Sequence, residues 1–286
     1  MPDLGAVITA IVTPFDEQLR VDEDAFVSLM HHLAANGSDG FVVAGTTGEA
    51  STLSDREHLG LVELAVRERP DGVTIIAGAG SNDTRHAVEL TRRAGELGVD
   101  AVLSVTPYYN RPNRRGILAH FEAVAAASPV PVVLYNIPSR TGTDMPNDLL
   151  ARLAQVERID FVKQSNPANL APVEGLRIYA GDDTSFARTL DMGEAGGILV
   201  ASHIVGPQMR RMVDEPENRS AIDEELRDVY RTLFMTASPT CTKAALELLG
   251  HPVSGLRLPL VEATAHEREA VRAMLVRHHL LEALNA

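Results

Sequence analysis

A lysine lies inside an apolar stretch of the chain, where lysine is rare. Lys163 follows Phe161 and Val162 and precedes Gln164. Burial of an amine disfavours its ammonium form, so the pKa falls and the neutral, nucleophilic amine becomes available. The position therefore favours an amine that adds to a carbonyl group and forms a Schiff base. A lysine at the rim of the fold, held in an ion pair, is the alternative that the residues alone leave open.

A second apolar run carries a phenol and is followed by a guanidinium. Tyr135 lies inside the run, and Arg140 follows it in a loop. A buried phenol near a cation is a candidate acid or base, and a guanidinium is a two-pronged partner for a carboxylate. Taken alone, the two residues are explained more simply as a core tyrosine and a solvated arginine.

Two loops carry further polar and aromatic groups. The turn Gly45-Thr46-Thr47-Gly48-Glu49 combines backbone freedom with two hydroxyls, which can hold a carboxylate or relay a proton. An ordinary loop before a helix explains it equally well. In Thr106–Pro112, two prolines stiffen a loop that presents Tyr108 and Tyr109, as a site wall, as a partner contact or as local packing.

The elements that must position these residues are short, nearly continuous apolar runs, typical of strands buried on both faces of a parallel sheet. The eight runs are Ala6–Thr13, Phe41–Gly45, Val73–Ala79, Ala101–Thr106, Val132–Ile137, Phe161–Gln164, Arg177–Ala180 and Gly197–Ala201. Segments with helical spacing separate them, among them Ala25–Ala35, Asp55–Arg69, Thr84–Leu97 and Gly116–Ala127.

This alternation predicts an α/β fold, a (β/α)8 TIM barrel, with the active site at the carboxyl ends of the strands. An open doubly wound sheet is the alternative, but no G-x-G-x-x-G follows the first strand. The strand signals stop after about Pro207, and three helical segments follow. We expect a catalytic barrel over 1–219 and a small C-terminal helical region over 220–286.

The predicted C-terminal helices are Asp223–Phe234, Pro239–Leu249 and Ala263–Leu281. Ser238 is the expected N-cap of the middle helix, and Gly250 is expected to close it. Cys241, the one cysteine, is predicted to be a buried structural thiol, and a single thiol fits a reducing, cytoplasmic compartment.

The net charge of −13 argues against nucleic acid or an anionic membrane surface as a partner. An anionic substrate would then need a few well-placed cations. Asp182 and Asp183 are expected to cap a helix rather than hold a metal, because no cluster of histidines or carboxylates accompanies them. We expect neither a metal nor a cofactor.

Together these features resemble the pyruvate-dependent Schiff-base lyase superfamily, and within it most closely the dihydrodipicolinate synthase family. The resemblance covers nearly the whole chain from Ala6 onward. Its markers, in order, are Gly45-Thr46-Thr47-Gly48-Glu49, Thr106-Pro107-Tyr108-Tyr109-Asn110-Arg111-Pro112, Tyr135-Asn136-Ile137-Pro138-Ser139-Arg140-Thr141-Gly142, Val162-Lys163 and Gly181-Asp182-Asp183.

The resemblance implies four catalytic residues and no cofactor. Lys163 would form the Schiff base with pyruvate, and Tyr135 would take and return protons beside it. Thr46 and Tyr109 would complete a proton relay, with Tyr109 supplied by a neighbouring subunit. The family is usually a homotetramer, and a dimer is the alternative.

Four further residues would bind substrates. The resemblance implies that Thr47 binds the carboxylate of pyruvate and that Arg140 binds that of L-aspartate 4-semialdehyde, the second substrate. Gly181 and Ile198 would offer backbone groups. Related N-acetylneuraminate lyases and 2-keto-3-deoxy sugar-acid aldolases share the lysine and tyrosine but generally lack this arginine, and a non-catalytic regulatory barrel would have lost the nucleophile.

The chain departs from the family pattern after the lysine, where Gln164-Ser165-Asn166 replaces an acidic and then a small residue. Strand alternation should point Gln164 away from Lys163.

A second departure lies at the site where many relatives bind lysine as an inhibitor. Asn82, Tyr108 and His58 match that site, whereas Asp55 stands where some sensitive enzymes have histidine and His86 where they have glutamate. We expect weak or absent inhibition by lysine.

Overall fold

Eight parallel strands close into a barrel in the computed structural model, which describes residues 2–253 and 255–282. The (β/α)8 prediction is confirmed, and each predicted strand lies within three residues of an observed one. The strands are β1 Val7–Ala10, β2 Gly40–Val43, β3 Thr74–Gly78, β4 Ala101–Val105, β5 Val132–Asn136, β6 Ile159–Gln164, β7 Arg177–Ala180 and β8 Gly196–Leu199.

Alternation along each strand separates two cores. Val133, Tyr135 and Phe161 point into the barrel, where they belong to the smaller apolar cluster. Leu134 and Val162, one position along, point outward and pack under the helices. This period of two fixes which side chains reach the inner face.

Helices cover the outside of the barrel, and an α-helix follows every strand except β6. They are α1 Glu23–Ala35, α2 Asp55–Glu68, α3 Thr84–Glu96, α4 Arg114–Ala127, α5 Pro138–Thr141, α6 Asn147–Leu153, α7 Phe186–Asp191 and α8 Ser202–Asp214. The start of α2 is set by Ser54, whose hydroxyl accepts from the backbone of Glu57 while the Glu57 carboxylate accepts from Ser54.

Four helices follow the barrel: α9 Arg219–Glu225, α10 Arg227–Leu233, α11 Thr240–Leu248 and α12 Ala265–Arg277. The single helix predicted over Asp223–Phe234 is wrong in detail. The chain forms two helices, α9 and α10, that meet at buried Leu226. We propose that the chain divides at the start of α9, into 1–219 and 220–286.

The predicted N-cap of α11 is also wrong. Pro239 occupies the cap position, and the Ser238 hydroxyl, one residue further back, is buried without a partner in the described parts of the chain. Gly250, at φ 90°, follows the end of this helix as predicted. Cys241 is buried, and burial raises the pKa of its thiol to about 11, as suits a structural thiol.

Within residues 2–253 and 255–282, no helix combines the length and apolar character that a membrane crossing requires.

Candidate active site

Lys163 lies on the inner face of β6, directly across from Tyr135 of β5. Only 6% of the lysine is exposed, and its Nζ lies 4.4 Å from the centroid of the Tyr135 ring. Burial lowers the pKa of Lys163 to about 8; Asp183 and Asp182 oppose this shift, and Arg140 adds to it. With a pKa near 8, about a tenth of the amine is neutral at pH 7, far more than for an ordinary lysine with a pKa of about 10.4, and this neutral fraction can attack a carbonyl carbon.

The chain has just two lysines, and the other one has a different environment. Lys243 of α11 is also buried, but its Nζ donates to Glu49 Oε1 at 2.7 Å and to Gly255 O at 2.6 Å. A carboxylate partner favours the charged ammonium, which is not nucleophilic. The two buried lysines therefore differ in whether a carboxylate pairs with the amine.

Tyr135 supplies the phenol beside the amine. Burial raises its pKa to about 12, while the hydroxyl of Ser165, then the charge of Arg140 and the hydroxyl of Thr46, lower it. A neutral phenol in this position can donate a proton to a reacting oxygen and take it back.

Asp183 is a residue of this region whose role the sequence did not predict. Its Oδ1 accepts from the backbone N–H groups of Val200 and Ala201, so it ties the end of β7 to the loop after β8. Burial raises the pKa of Asp183 to about 6. The neighbouring Asp182 has the predicted capping role, because its carboxylate accepts from Ser185 N.

The turn after β2 brings Thr46 and Thr47 to the end of the barrel at which Lys163 and Tyr135 lie. Thr47 is buried and Thr46 is exposed. The turn is fixed from both sides, because Thr13 Oγ1 donates to Gly48 O at 2.6 Å and Glu49 reaches Lys243.

The buried ion pair between Glu49 and Lys243 is the main feature of the site that the sequence did not predict. Glu49 and Lys243 lie 194 positions apart, and their side chains are 0% and 3% exposed. Glu49 Oε2 also accepts from the backbone N–H of Arg257, whose guanidinium pairs with Glu57. The C-terminal region thus holds the motif that carries the two threonines.

Arg140 stands at the mouth of the barrel in α5. Its side chain is exposed, and no carboxylate of the described residues lies within ion-pair distance of it. In a chain with net charge −13, an unpaired guanidinium beside a buried amine is the cation that an anionic substrate needs.

Gly181 directly follows β7, and Ile198 lies in β8. The N–H of Gly181 already donates to Gln164 O at 2.8 Å, so its carbonyl is the group left to meet a substrate. Ile198 points into the barrel. Gln164 points outward as predicted, since its Oε1 accepts from Asn136 Nδ2 and from the backbone of Asn166.

A cavity of about 470 Å³ extends from Thr46, Tyr135 and Arg140 to a second group of polar side chains. This group includes Asp55, His58, His86 and Tyr108.

The two histidines of this second group are both engaged. His86 bonds Asp55 through Nε2 at 3.0 Å, and His58 Nε2 donates to Gly78 O at 2.6 Å. Asn82, predicted to belong here, is not among the lining residues, and its carbonyl accepts from Asn110 instead.

Tyr109, unlike Thr46 and Tyr135, does not line this cavity. It is 89% exposed at φ 68°, on a loop that Arg111 anchors by donating to Gly142 O at 3.0 Å. An exposed aromatic side chain on an anchored loop is suited to a protein contact.

The fold and the site together define a barrel enzyme with a buried lysine beside a buried tyrosine at the carboxyl ends of its strands. The model of the dihydrodipicolinate synthetase family matches residues 3–278. The chain belongs to this family. The predicted enzyme class and activity are confirmed with it: a Schiff-base lyase of lysine and diaminopimelate biosynthesis.

Relatives of this family are similar to the chain in sequence and structure over nearly its full length. The 4-hydroxy-tetrahydrodipicolinate synthase of Heliobacterium modesticaldum is 43% identical over 286 residues, covering 96% of this chain and 95% of its own. The crystal structure of a Cyanidioschyzon merolae relative with lysine bound has a TM-score of 0.93 at 40% identity and covers 97% of this chain and 99% of its own. An Acinetobacter baumannii relative complexed with pyruvate has a TM-score of 0.93 at 34% identity and covers 97% and 100%.

Proposed function

We propose that Lys163 condenses pyruvate with L-aspartate 4-semialdehyde to give 4-hydroxy-tetrahydrodipicolinate. The observation that carries the assignment of the nucleophile is the burial of Lys163, which lowers the pKa of its amine to about 8. The neutral amine adds to the ketone of pyruvate and loses water to give an imine. The protonated imine withdraws electrons, so the methyl group loses a proton and attacks the aldehyde, whose oxygen takes up a proton and becomes the hydroxyl. The amino group of the semialdehyde then attacks the imine carbon, which closes the ring and releases the amine of Lys163.

Tyr135 moves the protons that these steps require. Its ring lies against Lys163 Nζ, and in this proposal its oxygen lies beside the carbon that the amine attacks. Protonation of the departing hydroxyl and removal of a methyl proton both need a group that returns to its starting state. Thr46 and Tyr109 complete the relay in this proposal.

Substrate carboxylates bind on two sides of the lysine. Thr47 holds that of pyruvate, and Arg140 holds that of the semialdehyde through two parallel hydrogen bonds. Gly181 and Ile198 line the same space with backbone groups. The exposed position of Arg140 at the mouth supports its assignment to the second substrate.

A second subunit supplies Tyr109. The loop Thr106–Pro112 projects its ring away from its own chain, and we propose that the ring enters a neighbour's site. The assembly we expect is a homotetramer, with a dimer as the alternative, located in the cytoplasm.

Lysine should inhibit weakly or not at all. His58, Asn82, His86 and Tyr108 would form the inhibitor site, but His86 is already bonded to Asp55. A histidine offers the inhibitor's ammonium no negative charge. Strong inhibition below millimolar lysine would contradict this proposal.

The role of Arg140 has a direct test. We expect Arg140→Ala to raise KM for the semialdehyde about 10-fold to 100-fold, since a charged hydrogen bond contributes about 1.5–3 kcal/mol, with KM for pyruvate little changed. Arg85→Ala is the control, because Arg85 is 94% exposed. Condensation is followed by coupling the next reductase to NADPH oxidation. Turnover of a sugar acid in place of the semialdehyde would contradict the proposal.

A further inference from the structure

The hydroxyl of Ser165 is buried beside the proposed catalytic pair without a hydrogen-bond partner. Its Oγ is closed to solvent and makes no hydrogen bond to the described residues. Buried hydroxyls are normally partnered, so an orphan at a reacting centre indicates a partner that forms during the reaction.

The backbone places this hydroxyl on the same side of the strand as the nucleophile. Ser165 comes two positions after Lys163, and its N–H donates to Asn136 O at 2.9 Å, which extends the pairing of β5 with β6. Side chains two positions apart in an extended strand leave the same face. Ser165 therefore faces the barrel mouth, as Lys163 does.

The neighbouring strand leaves room for the hydroxyl. A Cβ on Gly181 would lie 2.0 Å from Ser165 Oγ, well inside contact distance. Because Gly181 has no side chain, the Ser165 hydroxyl can occupy the space where a Cβ would otherwise lie. This packing fixes the serine next to the residues that the mechanism uses.

Tyr135 is the group within reach of this hydroxyl. Ser165 has the largest effect among those that lower the pKa of Tyr135 against the burial that raises it. In the resting structure the Ser165 oxygen is still unpartnered. A hydroxyl can rotate to donate when the phenol oxygen becomes negative.

We infer that Ser165 is a positioning residue for Tyr135, donating a hydrogen bond to the phenol oxygen whenever that oxygen has given up its proton. The proton of Tyr135 goes to the departing hydroxyl of the pyruvate adduct, and the serine keeps its own proton throughout. The inference rests on the proposed role of Tyr135.

The test compares Ser165→Ala with Ser104→Ala. Ser104 Oγ is also buried and unpartnered among the described residues, but it lies on β4 between Leu103 and Val105, on the opposite face from the barrel interior. Loss of a hydrogen bond to a charged oxygen should lower kcat of the Ser165 variant roughly 10-fold or more. The Ser104 variant should match the parent enzyme, and urea unfolding checks that both variants fold.

A second measurement reports on Tyr135 itself. Each protein is labelled with 3-fluorotyrosine, which titrates at lower pH than tyrosine, and 19F spectra are recorded against pH. Tyr135→Phe identifies the signal among the five tyrosines. We expect the pKa at position 135 to rise in Ser165→Ala and to stay unchanged in Ser104→Ala.

Two outcomes would overturn the inference: unchanged kcat in Ser165→Ala, or a lower kcat with an unchanged titration at position 135. Failure of the proposed function is recognised separately, because the parent enzyme would then form no borohydride-stable adduct with pyruvate.

Discussion

Lys163 and Lys243 are both buried, but in the described residues only Lys243 lies within ion-pair distance of a carboxylate. Burial lowers the pKa of both amines, but at Lys243 the Glu49 carboxylate opposes this shift and stabilises the ammonium. Asp183 and Asp182 oppose the fall in the pKa of Lys163, which keeps the pKa at about 8 rather than lower. The reactivity is set by three or four neighbours rather than by the lysine alone.

Formation of the pyruvate adduct should therefore depend on pH. The neutral amine reacts, so the initial rate should rise with pH to a midpoint near 8, below the ordinary lysine value of about 10.4. Asp183→Asn removes a charge that raises the pKa, while the amide oxygen can still accept from Val200 and Ala201. Its midpoint should shift to lower pH. A midpoint above 9, or a shift upward in Asp183→Asn, would contradict this account of Lys163.

At the scale of elements, the C-terminal region is part of the site because α11 holds the turn after β2. The link is the Glu49–Lys243 pair, with Lys243 Nζ also 4.3 Å from the centroid of the Phe15 ring. Removal of one member of a buried ion pair lowers protein stability strongly, because the other charge remains buried without a partner. Replacement of both members by neutral residues lowers stability much less.

Lys243→Met should reduce the free energy of unfolding by about 3–5 kcal/mol. The double variant Glu49→Gln, Lys243→Met should recover most of this loss, since the glutamine can still accept from Arg257 N. The control is Glu247→Gln with Arg268→Met, a partly exposed pair that should change stability by less than about 1 kcal/mol. Urea unfolding measures all of them. Equal instability of the single and double Glu49/Lys243 variants would contradict the account.

The sequence predicts the elements well where a feature is local. Strand alternation places Lys163 and Tyr135 on the inner face and Gln164 outside. The capping error at Ser238 arises because the helix begins one residue later than the proline suggested. The Glu49–Lys243 pair has no local signal, because its members are 194 positions apart and a buried charge is recognised only when its partner is known.

At the scale of the whole molecule, one chain leaves the proposed site incomplete. Lys163, Tyr135, Thr46 and Arg140 meet in one barrel, whereas Tyr109 projects from it with 89% of its surface exposed. No pattern in one sequence states which surface of a second copy receives this ring. The position of Tyr109 in the assembly is therefore a prediction.

Mixing two inactive variants tests whether subunits share Tyr109. Lys163→Ala and Tyr109→Phe should each lose most activity. In a dimer that contains one subunit of each variant, the Tyr109→Phe subunit keeps Lys163 and receives an intact Tyr109 from the Lys163→Ala subunit. Co-expression should therefore restore about a quarter of the sites when pairing is random. Activity that stays at the level of the separate variants would show that Tyr109 does not act across subunits.

The central claim, that Lys163 is the nucleophile, is tested most directly by trapping. The enzyme is incubated with pyruvate, reduced with borohydride, digested and analysed by mass spectrometry. With only two lysines in the chain, the result is unambiguous: we predict one adduct, on Lys163, that is absent from Lys163→Ala. An adduct on Lys243, or none while the enzyme still turns over, would contradict the account.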